Sequence, residues 1–385
     1  NNISLYWRIY MKLRINKVIL QNMLSRVQGF TERKSTLPIL SHILMEAHED
    51  YMCIKATDLH TSIQVTSPCS VEVQGACAIN GKSIYDVIRE LPDSSLQIWI
   101  EDNAKAHIEV DKNKIKMNVM DAQEYPMVEF KNMDKGFFID LSIMKPMIER
   151  TIFSIPSASE SDTKYTLAGA LLTSGKDEFD KGYIEMVTTD SRRLSVARYV
   201  IGEHLDMGDG IIVPRKGLQE LKRLMDIRED ESSILLSEDS IFFVSPDTTA
   251  TVRLIDGKFP DYKSVVAIEG YPNYTRIDAH ELLSVLKVCS AMVSDISNCV
   301  RFSFQKDKTV VYANNPDLGG EVETPITSEH FGEEFDINFN PRYFIDCLSY
   351  LEGEIEIRLK GPQGPCLIMD NGKTSSKWVI MPMRF

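Results

Sequence analysis

One helical pattern occurs three times along the chain, in segments that start at residues 79, 213 and 339. In each segment the apolar residues recur at the spacing of one helix face, and a cationic residue holds the same place, namely Lys82, Lys216 and Arg342. The copies lie about 125–135 residues apart, which is too long for a solenoid repeat and is typical of a domain. The chain is therefore predicted to contain three similar domains.

An amphipathic helix, preceded by a short strand, opens each repeat. The three predicted helices span residues 18–27, 143–153 and 282–293. Their predicted N-caps are Asn16, Ser142 and Asp278. Short alternating strands account for most of the remaining sequence. The predicted fold class is therefore α+β, with two helices in each domain packed on antiparallel sheets.

A polar pair ends one apolar strand in each repeat. The pairs are Thr57-Asp58, Thr189-Asp190 and Asn314-Asn315. The two aspartates are candidates for a carboxylate metal site, but the third repeat has Asn315 in that place, so capping of a turn is the favoured interpretation. No string typical of a hydrolase, a nucleotide-binding loop or a zinc protease stands in a suitable context. We therefore predict that the chain is not an enzyme and has no catalytic residues.

The repeats also set the predicted domain boundaries. The aromatic-proline pairs Tyr125-Pro126 and Phe259-Pro260 precede the boundary regions in matching positions. We predict an N-terminal extension at residues 1–10 and domains at residues 11–134, 135–271 and 272–385.

Cysteine usage and hydropathy indicate the compartment. The chain has 7 cysteines, an odd number, and no C-x-x-C pair, which argues against a disulfide framework or a zinc site and favours reduced thiols in the cytoplasm. No apolar run approaches the roughly 18 residues of a membrane span, and the first residues lack the parts of a secretory signal. We expect a cytoplasmic protein with no membrane association, metal or cofactor.

The charge is unevenly distributed. The formal net charge is -13, yet the predicted helices are basic relative to the rest of the chain. Phosphate contacts need lysine and arginine, so what matters is where the basic residues lie. This pattern suits a protein that meets DNA on one surface only, although solvated helix faces explain it equally well.

Several short strings resemble the bacterial sliding clamp family over nearly the whole chain, from Met11 to Phe385. The strings are Thr36-Leu37-Pro38-Ile39-Leu40, Thr188-Thr189-Asp190 with Arg193-Leu194, Val213-Pro214-Arg215-Lys216-Gly217, Asp256-Gly257-Lys258-Phe259-Pro260-Asp261-Tyr262 and Met381-Pro382-Met383-Arg384-Phe385. Each string alone is weak, but their order on a threefold repeat of this period is specific.

The resemblance implies a processivity factor of DNA polymerase III. Two chains of three domains would close a six-domain ring around double-stranded DNA, and contact with phosphates alone carries no sequence information. The implied partners are a second copy of the chain, a clamp loader complex, the polymerase III catalytic subunit and other proteins with clamp-binding motifs. The alternative is a peptide-binding scaffold that does not encircle DNA.

The resemblance also implies a partner pocket between the second and third domains. Its residues would be Leu167, Thr189, Ser191, Arg192, Arg193, Leu194, Pro260, Val265, Tyr343, Val379, Met381, Pro382, Met383 and Arg384. Leucine, valine, proline and methionine make an adaptable apolar slot, and Arg193 and Arg384 can meet acidic or carbonyl groups at its rim. From the residues alone, a closing edge strand is the favoured interpretation of the last segment, and the resemblance reverses that preference. Many family members have Gly-His where this chain has Ser191-Arg192, which bears on peptide preference.

Two further sets of residues follow from the resemblance. The DNA-facing residues would be Lys34, Lys82, Lys164, Tyr165, Arg215, Lys216, Arg223 and Arg342. The interface between chains would pair the first-domain strand at residues 114–119, with Ile115 and Met117 on one side, against the third domain near Met292 and Val293. An ordinary half-buried strand is the alternative for Ile115 and Met117.

Overall fold

The computed structural model describes most of the chain. The described residues are 9–32, 36–101, 104–133, 136–157, 165–202, 205–227, 231–293, 298–316, 319–370 and 375–383. Three predicted site residues, Lys34, Lys164 and Arg384, lie outside them. No helix among these residues is long and apolar enough to cross a membrane.

Each predicted domain has two α-helices in the described ranges. They are α1 (Lys17–Val27), α2 (Gly81–Glu90), α3 (Leu141–Glu149), α4 (Arg215–Ile227), α5 (Ala279–Met292) and α6 (Pro341–Leu348). The cationic helices predicted from the repeat are confirmed as α2, α4 and α6. In each of them the repeated lysine or arginine is the second residue of the helix.

Side-chain caps explain where several helices begin. Asn16 accepts from the Val18 amide at 2.8 Å and Asp278 from the Glu281 amide at 2.8 Å, as predicted. The predicted cap Ser142 is wrong, because α3 already begins at Leu141. That helix also ends at Glu149, well before the predicted end, and a 3-10 turn follows it.

The strands are short and all of their pairings are antiparallel. In chain order they are β1 (Ile9–Asn16), β2 (His42–Ala47), β3 (Tyr51–Thr57), β4 (Thr61–Pro68), β5 (Ser70–Val73), β6 (Gly75–Asn80), β7 (Ser95–Glu101), β8 (Lys105–Val110), β9 (Asn113–Met120), β10 (Phe137–Asp140), β11 (Gly169–Lys176), β12 (Gly182–Thr189), β13 (Arg193–Gly202), β14 (Ile211–Pro214), β15 (Ser233–Leu236), β16 (Ser240–Val244), β17 (Thr248–Arg253), β18 (Asn273–Asp278), β19 (Val300–Gln305), β20 (Lys308–Asn315), β21 (Gly320–Phe331), β22 (Phe335–Phe339), β23 (Glu354–Leu359), β24 (Cys366–Asp370) and β25 (Ser375–Ile380). The predicted class, α+β with antiparallel sheets, is confirmed. Strand β1 begins two residues before the predicted start of the first domain.

The chain divides into two compact units. The first comprises Asn1–Leu141 and Lys216–Leu254. Its 13-stranded sheet has the order β10-β15-β16-β17-β4-β3-β2-β6-β9-β8-β7-β1-β5. Helices α1 and α2 bury Leu20, Leu24, Ile84 and Ile88. Helix α4 approaches β17 closely at Gly217, where a Cβ atom would lie 2.2 Å from the Val252 side chain, so only glycine fits.

The second unit comprises Ser142–Arg215 and Ile255–Phe385. Its 12-stranded sheet has the order β14-β11-β12-β13-β25-β24-β23-β18-β21-β20-β19-β22. Helices α5 and α6 cover an aromatic core in which the rings of Phe302 and Phe344 stack at 5.0 Å and Trp378 is fully buried. Aliphatic side chains, among them Leu282, Leu286 and Ile357, fill the rest of this core.

Strands of the second predicted domain join both sheets. In the first unit β17 pairs with β4, and in the second unit β13 pairs with β25. Each pairing links two successive repeats through the strand that follows a Thr-Asp pair. These two junctions are therefore equivalent positions of the repeat, and the second one borders a cavity.

Candidate functional site

A largely apolar cavity of about 430 Å³ opens in the second unit. Its walls come from the 3-10 turn before β11, the β12–β13 turn, the irregular segment before β18 and the end of β25. The lining residues are Thr166, Leu167, Thr189, Ser191, Arg193, Leu194, Phe259, Pro260, Asp261, Tyr262, Val265, Val379 and Met381. Most of the pocket residues expected from the sequence are among them.

The β12–β13 turn is held by its own side chains. Thr189 Oγ1 accepts from the Ser191 amide at 3.1 Å and donates to the Arg193 carbonyl at 2.7 Å. Asp190 Oδ1 accepts from the Arg192 and Arg193 amides at 2.8 and 2.9 Å. Ser191 has a φ of 73°, in the left-handed region that favours glycine. This bonding fixes one wall of the cavity and confirms the turn-capping interpretation of Asp190.

The end of the chain is attached to this turn. In the β13–β25 register Leu194 lies opposite Val379, and the Met381 amide donates to the Arg192 carbonyl at 2.8 Å. Val379 is buried, whereas Met381 is 40% exposed. The last segment is therefore a cavity wall. The edge-strand interpretation is wrong, because β25 pairs with β13 on one side and with β24 on the other.

Arg193 is bonded to several groups within the protein. Its guanidinium bonds to Asp190 at 3.1 Å, to Asp346 and to the Phe153 carbonyl, and it lies 4.5 Å over the ring of Tyr343. These bonds use only some of the N–H groups of the guanidinium, so the expected contact with a ligand's acidic or carbonyl groups stays a prediction. Its side chain still borders the cavity.

Four other expected pocket residues do not line the cavity. They are Arg192, Tyr343, Pro382 and Met383. Tyr343 packs under the Arg193 guanidinium, and the Met383 amide donates to the Asn338 carbonyl at 2.8 Å. Arg384 lies outside the described residues.

Four lining residues were missed by sequence reasoning. They are Thr166, Phe259, Asp261 and Tyr262. Three of them stand in the string from Asp256 to Tyr262 that carried part of the family resemblance. The sequence signal that could have identified these three residues was therefore that string.

The first repeat builds the same turn without an apolar pocket. Thr57 Oγ1 accepts from the Leu59 amide and Asp58 Oδ1 from the His60 amide, both at 2.9 Å, and Leu59 has a φ of 75°. The cavity beside this turn, of about 330 Å³, has a polar lining that includes Glu129, Lys131 and Arg253. The turn alone therefore does not make an apolar pocket; the neighbouring segments decide its chemistry.

The expected DNA-facing residues have different surroundings. Lys82 and Arg342 are exposed in the first turns of α2 and α6. Lys216 is about half exposed and pairs with the buried Asp58. Burial alone would raise the pKa of Asp58, but the Lys216 ammonium and the amides of Thr61 and His60 lower it overall.

Two expected DNA-facing arginines are held by the protein itself. Arg215 donates to the carbonyls of Ile155 and Pro156, and Arg223 donates to those of Ser25 and Arg26 at 2.7 Å while pairing with Glu220. These bonds explain why both side chains are only partly exposed. Tyr165, by contrast, is 67% exposed.

The expected interface residues lie beside two open strand edges, Ile115 and Met117 on β9 itself and Met292 and Val293 at the end of α5, next to the start of β21. In the described residues, β9 pairs with β8 along Asn113–Asn118 and meets β6 only at Val119 and Met120, so its other edge is open. Similarly, β21 pairs with β20 along Gly320–Thr327 and meets β18 only beyond that stretch. Ile115, Met117, Met292 and Val293 are all half-buried.

Comparison with known families gives a match along the whole chain. Sequence profiles of the DNA polymerase III beta subunit match in order: the N-terminal domain at residues 11–129, the central domain at 139–261 and the C-terminal domain at 269–384. The chain is 28% identical over 378 residues to the beta sliding clamp of Caulobacter vibrioides, covering 97% of this chain and 100% of the relative. It is also 28% identical over 381 residues to the beta sliding clamp of Chlamydia trachomatis, covering 98% of this chain and 88% of the relative.

Solved structures agree with this match. A beta sliding clamp of Caulobacter crescentus superposes with a TM-score of 0.90 at 26% identity, covering 97% of this chain and 99% of that one. A sliding clamp from Bartonella birtlesii, solved bound to griselimycin, superposes with a TM-score of 0.89 at 27% identity, covering 97% of this chain and 100% of that one.

Proposed function

Because this chain belongs to the DNA polymerase III beta subunit family and has the processivity role of a DNA sliding clamp, we propose that two copies close into a ring around duplex DNA. Each copy would contribute three domains to the ring. The two contacts would be identical, each joining the first domain of one copy to the third domain of the other.

The open strand edges support this closure. An open edge presents unpaired backbone amides and carbonyls, to which a strand of another chain can form hydrogen bonds. The exposed side chains of β9 include Lys114 and Lys116, whereas those of β21 include Glu321 and Glu323. One edge is therefore basic and the other acidic, so that unlike edges attract and like edges repel.

Apolar residues beside these edges would complete the interface. Met292 lies against the start of β21, since a Cβ atom added at Gly320 would come within 2.6 Å of its Cε. Val293 packs against the core of the same domain, and Ile115 and Met117 alternate with the lysines along β9. An apolar centre with a charged rim is the usual anatomy of a stable interface.

Contact with DNA is proposed for the exposed cations at helix starts. A cation in the first turn opposes the helix dipole, yet α2, α4 and α6 each carry one as their second residue. A phosphate placed there would interact favourably with the cation. In α6 the helix amides add little, because Pro341 has none and those of Arg342 and Tyr343 bond to Asn340. Lys82 and Arg342 are the stronger candidates, because Arg215 and Arg223 already bond within the chain. Such contacts would carry no base information and so would permit sliding.

We propose that the apolar cavity receives peptide segments of the polymerase III catalytic subunit, of the clamp loader and of other clamp-binding proteins. Its apolar lining, with an exposed methionine at one side, fits short peptides that carry bulky apolar anchors. Griselimycin, which the Bartonella birtlesii clamp was solved with, is proposed to occupy the same cavity. The protein would act in the cytoplasm, without catalysis, metal or cofactor.

The main support for the ring proposal is the pair of open strand edges with opposite charges. The proposal is tested by loading the protein onto circular DNA. The clamp is loaded on nicked circular duplex with its loader and ATP, and isolated by gel filtration. Retention on the circle, followed by loss when a restriction enzyme linearises it, is the expected result. Sedimentation should give a species of twice the 43.8 kDa chain mass.

A peptide-binding scaffold without DNA encirclement would behave differently. It would sediment as a monomer, and linearisation would not change its association with DNA. Either result would overturn the ring.

A further inference from the structure

The cavity wall that faces β25 is an irregular segment. No strand is formed between residues 256 and 272, and a single 3-10 turn, Ile268–Gly270, interrupts it. This segment nevertheless supplies Phe259, Pro260, Tyr262 and Val265 to the lining. A wall with so little backbone pairing needs side-chain attachments to keep one shape.

The strongest attachment is a buried carboxylate behind the wall. Glu185 lies on β12, does not line the cavity and is only 3% exposed. It accepts a hydrogen bond from the hydroxyl of Tyr262 on one oxygen and, on the other, one from Arg198 Nε at 2.8 Å. Arg198 lies directly opposite Glu185 in the β12–β13 register and stacks on Tyr183 at 4.0 Å. The carboxylate is therefore held by the rigid sheet.

Burial makes the tyrosine bond a strong one. A buried carboxylate is costly unless its oxygens are satisfied, so Glu185 favours whichever conformation of the wall brings Tyr262 to it. Burial, and then the nearby charge of Glu185, raise the pKa of Tyr262 far above the neutral range. The hydroxyl thus remains protonated and available as a donor.

Two further bonds hold the same wall. Tyr271, itself buried, donates to the Val265 carbonyl at 2.8 Å. Lys377 on β25 approaches the Val266 carbonyl at 3.5 Å, and burial followed by the charge of Arg198 lowers the pKa of its ammonium. Glu185, Tyr271 and Lys377 thus all bond to one stretch, Tyr262 to Val266, and none of the three lines the cavity.

We propose that Glu185 is a positioning residue that keeps the pocket open before a peptide arrives. Acting through Tyr262, it holds the irregular wall against the sheet in its binding-competent shape. The proposal rests on the proposed peptide-binding function and adds a residue outside the pocket that sets its affinity. A wall released from the sheet would spend part of its time in other conformations. The apparent affinity for the peptide then falls in proportion to the fraction of molecules whose wall keeps the binding-competent shape.

The test compares variants that remove single groups. Tyr262→Phe deletes the donor but keeps the ring in the wall, Glu185→Leu deletes the acceptor, and Glu185→Gln keeps an acceptor oxygen. Tyr125→Phe is the matched control, since Tyr125 is another buried tyrosine with a bonded hydroxyl, in the other unit. Griselimycin is the probe for calorimetric titration, and amide hydrogen exchange of residues 258–268 is followed on the ligand-free protein.

We expect Tyr262→Phe and Glu185→Leu to weaken griselimycin binding about fivefold to twentyfold and to speed exchange in the wall. Glu185→Gln should retain most of the affinity, and Tyr125→Phe should match wild type in both measurements. Wild-type affinity and exchange in Tyr262→Phe and Glu185→Leu would overturn the proposal. If wild type itself fails to bind griselimycin, the pocket assignment fails, while the exchange comparison still decides whether Glu185 holds the wall.

Discussion

At the scale of single residues, the two Thr-Asp pairs show how one local turn motif can make different long-range contacts. Both pairs cap a turn whose third residue has a positive φ. Asp190 also bonds to Arg193, whereas Asp58 pairs with Lys216. The turn is formed by hydrogen bonds between neighbouring residues. The cation that each aspartate bonds to is determined by the elements packed beside the turn.

Replacing Asp58 with asparagine should remove a pH-dependent part of the stability. Asparagine keeps the oxygen that caps the turn but loses the charge that pairs with Lys216. Because Lys216 is about half exposed, the expected loss at neutral pH is only about 1 kcal/mol. The folded pKa of Asp58 is lowered, so its contribution is full above the ordinary value of 3.8 and fades as the pH falls from there through the folded pKa.

Thermal unfolding at neutral pH and near pH 3 would measure this. The difference between wild type and Asp58→Asn should shrink at the lower pH. The exposed Asp239 in the same unit supplies the control, Asp239→Asn, which should change little at either pH. An equal loss for Asp58→Asn at both pH values would contradict the charge-based explanation.

A second residue-scale prediction concerns the pocket. Met381→Asp places a charge in the apolar lining and should weaken griselimycin binding at least about tenfold, or roughly 1.4 kcal/mol. Met127→Asp makes the same change at a methionine that is 83% exposed and does not line this cavity, so binding should be unaffected. Calorimetric titration measures the griselimycin affinity of both variants. Equal affinities for Met381→Asp and Met127→Asp would contradict the pocket assignment.

At the scale of elements, β9 and β21 each leave one edge open over part of their length. Isolated edges invite uncontrolled pairing, and charge is one of the means by which proteins restrict them. Here the charges have opposite signs. Pro325, within β21, lacks an amide proton and is typical of an edge strand. These features favour pairing of unlike edges over pairing of like edges.

A charge exchange tests this pairing. Reversal of Lys114 and Lys116 to glutamate, or of Glu321 and Glu323 to lysine, should each abolish the homodimer, since like charges would then meet at both contacts. Mixing the two variants should restore a dimer, because every contact in the mixed pair again joins opposite charges. Sedimentation of each variant and of the mixture is the measurement.

The control for this experiment reverses two exposed lysines away from both edges, Lys181 and Lys263, which should leave the homodimer intact. Dimerisation of either single variant at wild-type strength, or failure of the mixture to associate, would argue against the edge pairing.

At the scale of the whole molecule, an acidic chain has to bind a polyanion without being repelled by it. The net charge of -13 means that DNA contact depends on where a few cations lie. The repeat places one cation at the same point of three helices. A closed ring stays on DNA because it surrounds the duplex, so its individual contacts with phosphates can be weak.

Reversing Lys82 and Arg342 together to glutamate removes two cations from each copy of the ring. It should weaken binding to a short duplex and reduce the slope of log K against log salt by about 0.9 per lost contact, or about 3.6. Fluorescence anisotropy between about 50 and 200 mM salt measures the slope. Lys181→Glu with Lys360→Glu, two exposed lysines that do not line the cavity, changes the net charge equally and should preserve the slope. Griselimycin affinity should be unchanged in both variants, and its loss would indicate misfolding instead.

The sequence by itself determined the repeat, the α+β class, most helix positions and the family. These rest on local periodicity, capping and order along the chain, which need no knowledge of distant contacts. Only the tertiary structure decided which residues line the cavity, that Arg193 bonds to Asp346, and that Glu185 bonds to the lining residue Tyr262. The physical reason is separation: Arg193 meets Asp346 across 153 residues and Tyr262 meets Glu185 across 77, and no local pattern encodes which of many polar side chains will be buried together.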